Sequence, residues 1–440
     1  MRLIQNQTEA GAATIRAPYS AAITSLIGVG IVVAAYLLWN ESKSVGMVLA
    51  PVITIVTALA VRNARAVAIA TLLNYPYALG AYIGALNGVT FFPRPPLSSY
   101  EAVAHEQTLT LLTALGLTLV LGIAQKFQNA LADGWRVFSA VGRNSVNSVH
   151  KRIEIVLWAG LLVGLHDAAF LAANLGAVLS SGRHSFKQEF WVGNGLFGIV
   201  LALVIGIILV SVSMTVKRYR FRALAILGIF WGPSLIAGSR NYFSVLMVAA
   251  LCAAFFAIKS GRHKLWLTVA AILGISAFTW LPTLWSTNDL VGFNEWILPT
   301  SSLLPLSLGL YTAESLGATS ILQQWVLLLP SPLRPYPVTL YADEFAERKF
   351  TNVGVAGNPW ADAYDPDLFV RVLIFAIAFA CVFLIAGLLR RIHVFVPFIA
   401  FGMMAFLGRS IFWNIIVVLL YSAILLRLLI PVKSVEGQVT

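Results

Sequence analysis

The chain has 440 residues, 59% of them hydrophobic and only 11% charged, with a mean hydropathy of +0.84. A soluble domain carries about 25% charged residues, so this composition excludes an apolar core wrapped in a solvated shell. The net charge of +12 does not make nucleic acid a partner, because Lys and Arg fall in short clusters between apolar runs.

Those runs are about 17–25 residues long, enough to cross about 30 Å of hydrocarbon as helices. They lack the strict alternation of barrel strands, and a helix satisfies its own backbone hydrogen bonds in lipid. The reading is an all-α polytopic membrane protein with about twelve transmembrane helices. In chain order the expected spans are 18–39, 45–61, 66–86, 108–124, 153–179, 194–215, 223–237, 242–258, 265–281, 368–389, 394–407 and 411–430. The polar first fifteen residues contain no apolar stretch followed by a cleavage site, so no signal peptide is expected. Cys252 and Cys381 both fall inside spans, where a free cysteine acts as a small packing residue.

Orientation follows the positive-inside rule. With the N-terminus inside, the inner side holds Arg2, Arg16, Arg62, Arg65, the 125–152 segment, the Lys217–Arg222 cluster, the Lys259–Lys264 cluster, Arg390, Arg391, Arg427 and Lys433. This side takes 20 of the 30 basic residues. The expected location is therefore the bacterial inner membrane, with both termini cytoplasmic.

Three regions follow: a transmembrane bundle over 1–281, a large periplasmic loop over 282–366, and C-terminal transmembrane helices over 367–440. The loop is rich in proline and aromatic residues and holds 8 of the 18 acids. Loops of this length in compact proteins are usually functional or disordered, and the aromatic content argues for function.

Motifs for nucleotide, metal or serine-nucleophile chemistry are absent from the sequence. No metal site and no cofactor are expected, and any catalysis would rest on positioning and electrostatics. Arginines at the outer boundary are the leading candidates. Arg240 lies in the turn Ala237-Gly238-Ser239-Arg240-Asn241-Tyr242, and Arg409 in Leu407-Gly408-Arg409-Ser410. A guanidinium is permanently charged and planar, which suits phosphate oxygens. Held at the membrane edge it is costly unless paired, so a headgroup contact or a loop carboxylate is the plainer alternative.

Arg334 stands in the proline-stiffened Ser331-Pro332-Leu333-Arg334-Pro335-Tyr336-Pro337. Arg371 follows Asp367 by four residues, a spacing that favours an ion pair along the helix. Asp362, in Trp360-Ala361-Asp362-Ala363-Tyr364, is the candidate general base. His166-Asp167 in the fifth span reads as a satisfied interhelical hydrogen bond, with a proton relay as the alternative. Trp360, Tyr364, Trp325 and Tyr336 offer ring faces for sugar stacking.

The Gly238-Ser239-Arg240 turn, the proline-bracketed Leu329–Pro335 segment, the Ala361–Tyr364 segment and Arg409 together resemble the Wzy-type O-antigen (oligosaccharide repeat-unit) polymerases. The resemblance covers the C-terminal half; the N-terminal half is similar in hydropathy alone. The chain departs from the family after Asp362, where Asp365-Pro366-Asp367-Leu368-Phe369 stands in place of Asn-Phe-Gly.

The resemblance implies a GT-C-like bundle and a membrane glycosyltransferase with its active site facing the periplasm. The donor would be a glycan on undecaprenyl pyrophosphate and the acceptor a second lipid-linked repeat unit, with undecaprenyl pyrophosphate released. A chain-length regulator would be a further partner. On this reading Arg240, Arg334, Arg409 and Asp362 are catalytic, and Arg371, Tyr364, Trp360 and Tyr336 bind substrate. An O-antigen ligase shares the same logic. A lipid-linked oligosaccharide flippase also gives about twelve spans, but such folds place related halves about a central connection, whereas here the longest loop follows the ninth span.

Overall fold

A computed structural model describes residues 2–86, 96–143, 147–180, 190–192, 195–236, 245–252, 323–329, 331–338, 363, 367–405, 407 and 412–430. Regular structure among them is helical throughout. In chain order the helices are α1 (Arg2–Trp39), α2 (Lys43–Ala60), α3 (Arg65–Leu72), α4 (Tyr75–Leu86), α5 (Leu97–Val120), α6 (Ile123–Arg143) and α7 (Asn147–Ser180). There follow α8 (Gly195–Thr215), α9 (Arg220–Ile236), α10 (245–252), α11 (Leu368–Leu389), α12 (Val396–Ala405) and α13 (Phe412–Leu429).

Six of these contain a stretch long and apolar enough to cross a membrane, in α1, α2, α7, α8, α11 and α13. The bent pair α5–α6 makes a seventh if it counts as one span. The protein is thus an α-helical membrane protein. Of the other expected spans, the third is broken in two and the seventh is the 17-residue α9. The eighth is described only over 245–252, the ninth (265–281) lies outside the described residues, and the eleventh is the ten-residue α12.

The lipid-facing surface is legible on α1. Thr24, Gly28, Ile31, Ala35 and Leu38 are buried, alternating by four and three residues, which is one helical face. The opposite face is equally apolar, and its Leu26 and Tyr36 are each 70% exposed. A helix apolar all round needs hydrocarbon on the side its neighbours leave open.

Lipid tails are as apolar as leucine, so helices associate there through close packing and polar contacts rather than the hydrophobic effect. At the α1–α5 crossing the two backbones touch. A Cβ added at Gly28 would lie 2.7 Å from Val120 N and 2.8 Å from Gly116 O, and one added at Gly116 would lie 3.0 Å from Gly28 O. Besides α1, α5 packs against α2, α4 and α11, which makes it the central helix of this part of the bundle.

The third expected span is interrupted at Leu73-Asn74 because Pro76 follows. Proline has no N–H to bond Leu72, and its ring crowds that carbonyl, so α3 ends there and α4 restarts with proline in its first turn. The Asn74 amide fills the gap, donating to Ala70 O at 2.7 Å and to Met404 O of α12 at 2.6 Å. The turn from α5 into α6 uses Gly122 at φ 66°, a left-handed conformation natural to glycine, and swings the chain through 77°.

The basic loops gather at one end of the bundle. Gln128 of α6 accepts the Ala66 N–H, and Asp133 pairs with Arg390 at 2.8 Å. Arg152 donates to Leu428 O at 2.9 Å, and Arg222 pairs with Glu154 at 2.7 Å. Two turns here share one design. After α2 and after α8, a valine leaves helical geometry (Val61, Val216), a 3₁₀ turn follows, and an arginine opens the next helix. That arginine reaches back seven residues to a last-turn carbonyl, Arg65 Nε to Ala58 O at 3.0 Å and Arg220 Nε to Ser213 O at 3.1 Å. A cation there also complements the negative end of the helix dipole.

His393, between α11 and α12, closes this end. Its Nε2–H donates to Ile430 O at 2.9 Å, and its Nδ1 accepts from Phe395 N–H at 3.3 Å, so the ring is held neutral. Burial, reinforced by the nearby Arg427 cation, pushes its pKa down to about 4.

Two outcomes follow from this packing. Gly28→Ala should lower the thermal midpoint in detergent, an overpacking cost of about 1–3 kcal/mol. Gly30→Ala, whose Cβ meets nothing within 4 Å, should hold or raise it; equal midpoints would refute the crossing. For His393, the unfolded chain binds the proton more readily, so stability is full above about pH 6.5. It declines as pH falls from there toward 4, by up to about 3 kcal/mol. Midpoints measured from pH 7 to 4 should fall less in His393→Gln than in the parent.

Candidate functional site

Arg240, Arg409, Asp362, Trp360 and Tyr364 lie outside the described residues. Arg334, Tyr336 and Arg371 are described, and each is fixed by a different contact.

Residues 323–338 fold back on themselves. The Tyr336 hydroxyl donates to Gln323 O at 2.8 Å, and Arg334 Nε–H donates to Leu329 O at 3.1 Å across the proline segment. This orients the guanidinium through Nε while its two Nη groups keep no partner among the described residues. The 3₁₀ turn Gln324–Leu328 packs on α13 and buries Gln324 and Val326 completely. The segment is thereby anchored to the bundle. Trp325 points out and stays exposed.

Arg371, in the first turn of α11, pairs with Glu106 of α5, Nε to Oε1 at 2.9 Å, with side chains 8% and 15% exposed. The Asp367 carboxylate is engaged elsewhere, capping α11 by accepting the Phe369 and Val370 N–H groups at 2.8 and 3.1 Å. The sequence nominated the i,i+4 pair with Asp367; the structure adds a partner from another helix. Glu106 escaped the sequence reading because the fourth span was begun at residue 108. The helix starts at Leu97, and its polar first half, with Tyr100, His105, Gln107, Thr108 and Thr110 all buried, is enclosed by neighbouring helices.

His166-Asp167 of α7 forms the third cluster. Asp167 is fully buried; Oδ1 accepts from Trp191 N–H and Oδ2 from Val192 N–H, each at 3.0 Å. Oδ1 also lies 3.0 Å from His166 Nδ1. The reading as a satisfied hydrogen bond therefore holds, but the carboxylate secures the connector leading into α8 rather than another helix. The exposed Trp191 ring stands 5.0 Å from the His166 ring, centroid to centroid. Nothing in the sequence joins residue 191 to 167, so this neighbour was not foreseeable.

No group of three or more His, Cys, Asp or Glu side chains arranged to hold a metal occurs among the described residues. No family model, curated protein or solved structure matches the chain.

The Glu106–Arg371 pair yields a double-mutant prediction. Breaking a buried pair strands a charge and costs about 3–5 kcal/mol, whereas replacing both partners with apolar residues is often neutral. Denaturation in mixed micelles should show Arg371→Leu and Glu106→Leu each strongly destabilised and the double variant largely restored. Additive losses would dismiss the pairing.

Proposed function

We propose that the chain is a membrane glycosyltransferase that polymerises undecaprenyl-pyrophosphate-linked oligosaccharide repeat units, using about twelve spans in a GT-C-like bundle. It works from the periplasmic side of the inner membrane, with both termini in the cytoplasm. The supporting observation is Arg334: one N–H is fixed on Leu329 O inside a proline-stiffened segment docked on α13, and its Nη groups are open among the described residues. A guanidinium so oriented is preorganised for the oxygens of a departing pyrophosphate.

In this reaction the acceptor hydroxyl attacks the anomeric carbon of the donor glycan, and the bond to pyrophosphate breaks. Negative charge grows on a leaving group tethered at the membrane surface. Fixed cations in a partly dehydrated site stabilise that charge without having to reorganise, and losing one such donor typically costs about 100- to 1,000-fold in rate. Arg240 and Arg409, expected from the sequence at the same boundary, are proposed to complete the clamp. Arg371 is proposed to shape the acceptor side, and the ring faces of Trp360, Tyr364 and Tyr336 to stack on sugars. The gathering of the basic loops at one end supports the orientation, since those are the segments the positive-inside rule assigns to the cytoplasm.

A strain deleted for this chain separates the readings. Loss of a polymerase leaves lipid A carrying single repeat units, whereas loss of a ligase leaves lipid A bare. Complementation with Arg334→Ala, Arg240→Ala or Arg409→Ala should fail to restore the glycan ladder while membrane insertion persists. Full-length polymer in all three variants would end the arginine proposal.

A further inference from the structure

The His166–Asp167 pair has the geometry of an oriented base, and nothing described above uses it. An ionised carboxylate only accepts hydrogen bonds, so the 3.0 Å contact places the proton on His166 Nδ1 and the lone pair on Nε2. Two backbone N–H groups clamp the carboxylate at 0% exposure. His166 is 48% exposed, and its Nε2 has no partner among the described residues. A carboxylate that fixes the tautomer and stabilises the imidazolium is the arrangement by which histidine serves as a general base.

The surroundings define a ligand. Trp191, 54% exposed, sets an aromatic face at 45° beside the imidazole. On the same side of α7, Leu162 and Leu165 are exposed and continue the apolar stripe toward Trp158. The apolar stretch of α8 begins at Leu196, four residues after Val192, while on α7 the dyad lies ten residues inside the Gly176 end of the apolar stretch. α7 and α9 are in backbone contact here, a Cβ at Gly164 falling 2.7 Å from Phe230 Cα. A polar dyad and a ring face beside a greasy stripe match a molecule with a sugar head and a chain in the bilayer.

We infer that His166, Asp167 and Trp191 form the acceptor subsite for a lipid-linked saccharide. Trp191 stacks on the sugar, His166 Nε2 takes the place of Asp362 as the base that removes the proton from the attacking hydroxyl, and Asp167 is the positioning residue. This rests on the polymerase reading above. The hydroxyl oxygen bonds to the anomeric carbon as the carbon–oxygen bond to pyrophosphate breaks. The electron pair leaves with undecaprenyl pyrophosphate, and the proton passes to Nε2 and then to periplasmic water.

The test uses the full chain in nanodiscs and, as probe, the lipid-linked repeat units extracted from a strain deleted for it. His166→Gln should lower kcat by about 100- to 10,000-fold, the usual contribution of proton transfer, with KM little changed. Asp167→Asn keeps an acceptor for only one of the two backbone N–H groups, so its thermal midpoint should fall, and kcat of the folded fraction should fall with the pH profile altered while Trp191-dependent KM stays near the parent's. Trp191→Leu should raise KM, and Trp191→Phe should restore it. Extension by the parent together with unchanged kcat in His166→Gln would overturn this subsite and leave the polymerase reading standing. No extension by the parent would remove the polymerase reading. Retention of the probe on the nanodisc then decides the subsite: binding lost in Trp191→Leu upholds it, and equal binding dismisses it.

Discussion

In hydrocarbon a polar group that lacks a partner is costly, and that constraint organises this molecule more than apolar burial does. Helix α5 shows it most directly. Its second half approaches α1 so closely at Gly28 and Gly116 that neither position admits a side chain without movement. Its first half carries Glu106, His105, Gln107 and several threonines into the interior. Further along, Thr113 and Thr118 fold their hydroxyls back onto Leu109 O and Leu115 O, whereas the buried Thr108 and Thr110 hydroxyls have no hydrogen-bond partner among the described residues. The charged Glu106 is matched by Arg371 from a helix more than 250 residues away in sequence. Thus α5 joins the first five helices to α11 by contacts that lipid cannot replace.

The same rule explains the breaks. Pro76 deprives Leu72 O of its bond and ends α3, and at that break the Asn74 amide takes up Ala70 O and a carbonyl of α12. At the basic end, Arg65 and Arg220 complete the ends of α2 and α8, so two unrelated stretches of sequence converge on one turn. Positive charge at this end therefore has two tasks: it sets which loops share a side, and it satisfies carbonyls that a helix end leaves over.

The fold was legible where one pattern sufficed. Apolar length marked the membrane-crossing stretches of α1, α2, α7, α8, α11 and α13 within a few residues, because hydropathy is additive along a chain. It says less where a helix runs on beyond its apolar stretch. Glu101, His105 and Glu106 moved the predicted start of the fourth span to 108, although a buried partner on α11 lets the helix begin at Leu97. Asn74-Tyr75-Pro76 was a readable break that hydropathy alone passed over. Of the site, Arg334 was legible from the stiffness of its proline neighbours. The Trp191 contact was not, since it depends on where a connector folds back, and no local spacing encodes that.

Arginines and histidines divide into two populations by what their nitrogen atoms touch. At the basic end Arg65, Arg152 and Arg220 donate to backbone carbonyls, Arg222 and Arg390 pair with acids, and His393 uses both ring nitrogens. Arg334 and His166 are held more sparingly, as Arg220 is through Nε alone. Each spends one nitrogen on an internal partner that fixes its direction, and each leaves another without a partner among the described residues. A group fully satisfied within the fold stabilises it and offers a ligand little. One that is aimed by the fold yet incompletely satisfied has already lost its conformational freedom, so a ligand meets a group whose ordering cost has been met in folding. Arg220 meets the same condition at the end that gathers the basic loops, so what singles out Arg334 and His166 for the proposed chemistry is their company: a proline-stiffened segment in one case and an exposed indole in the other.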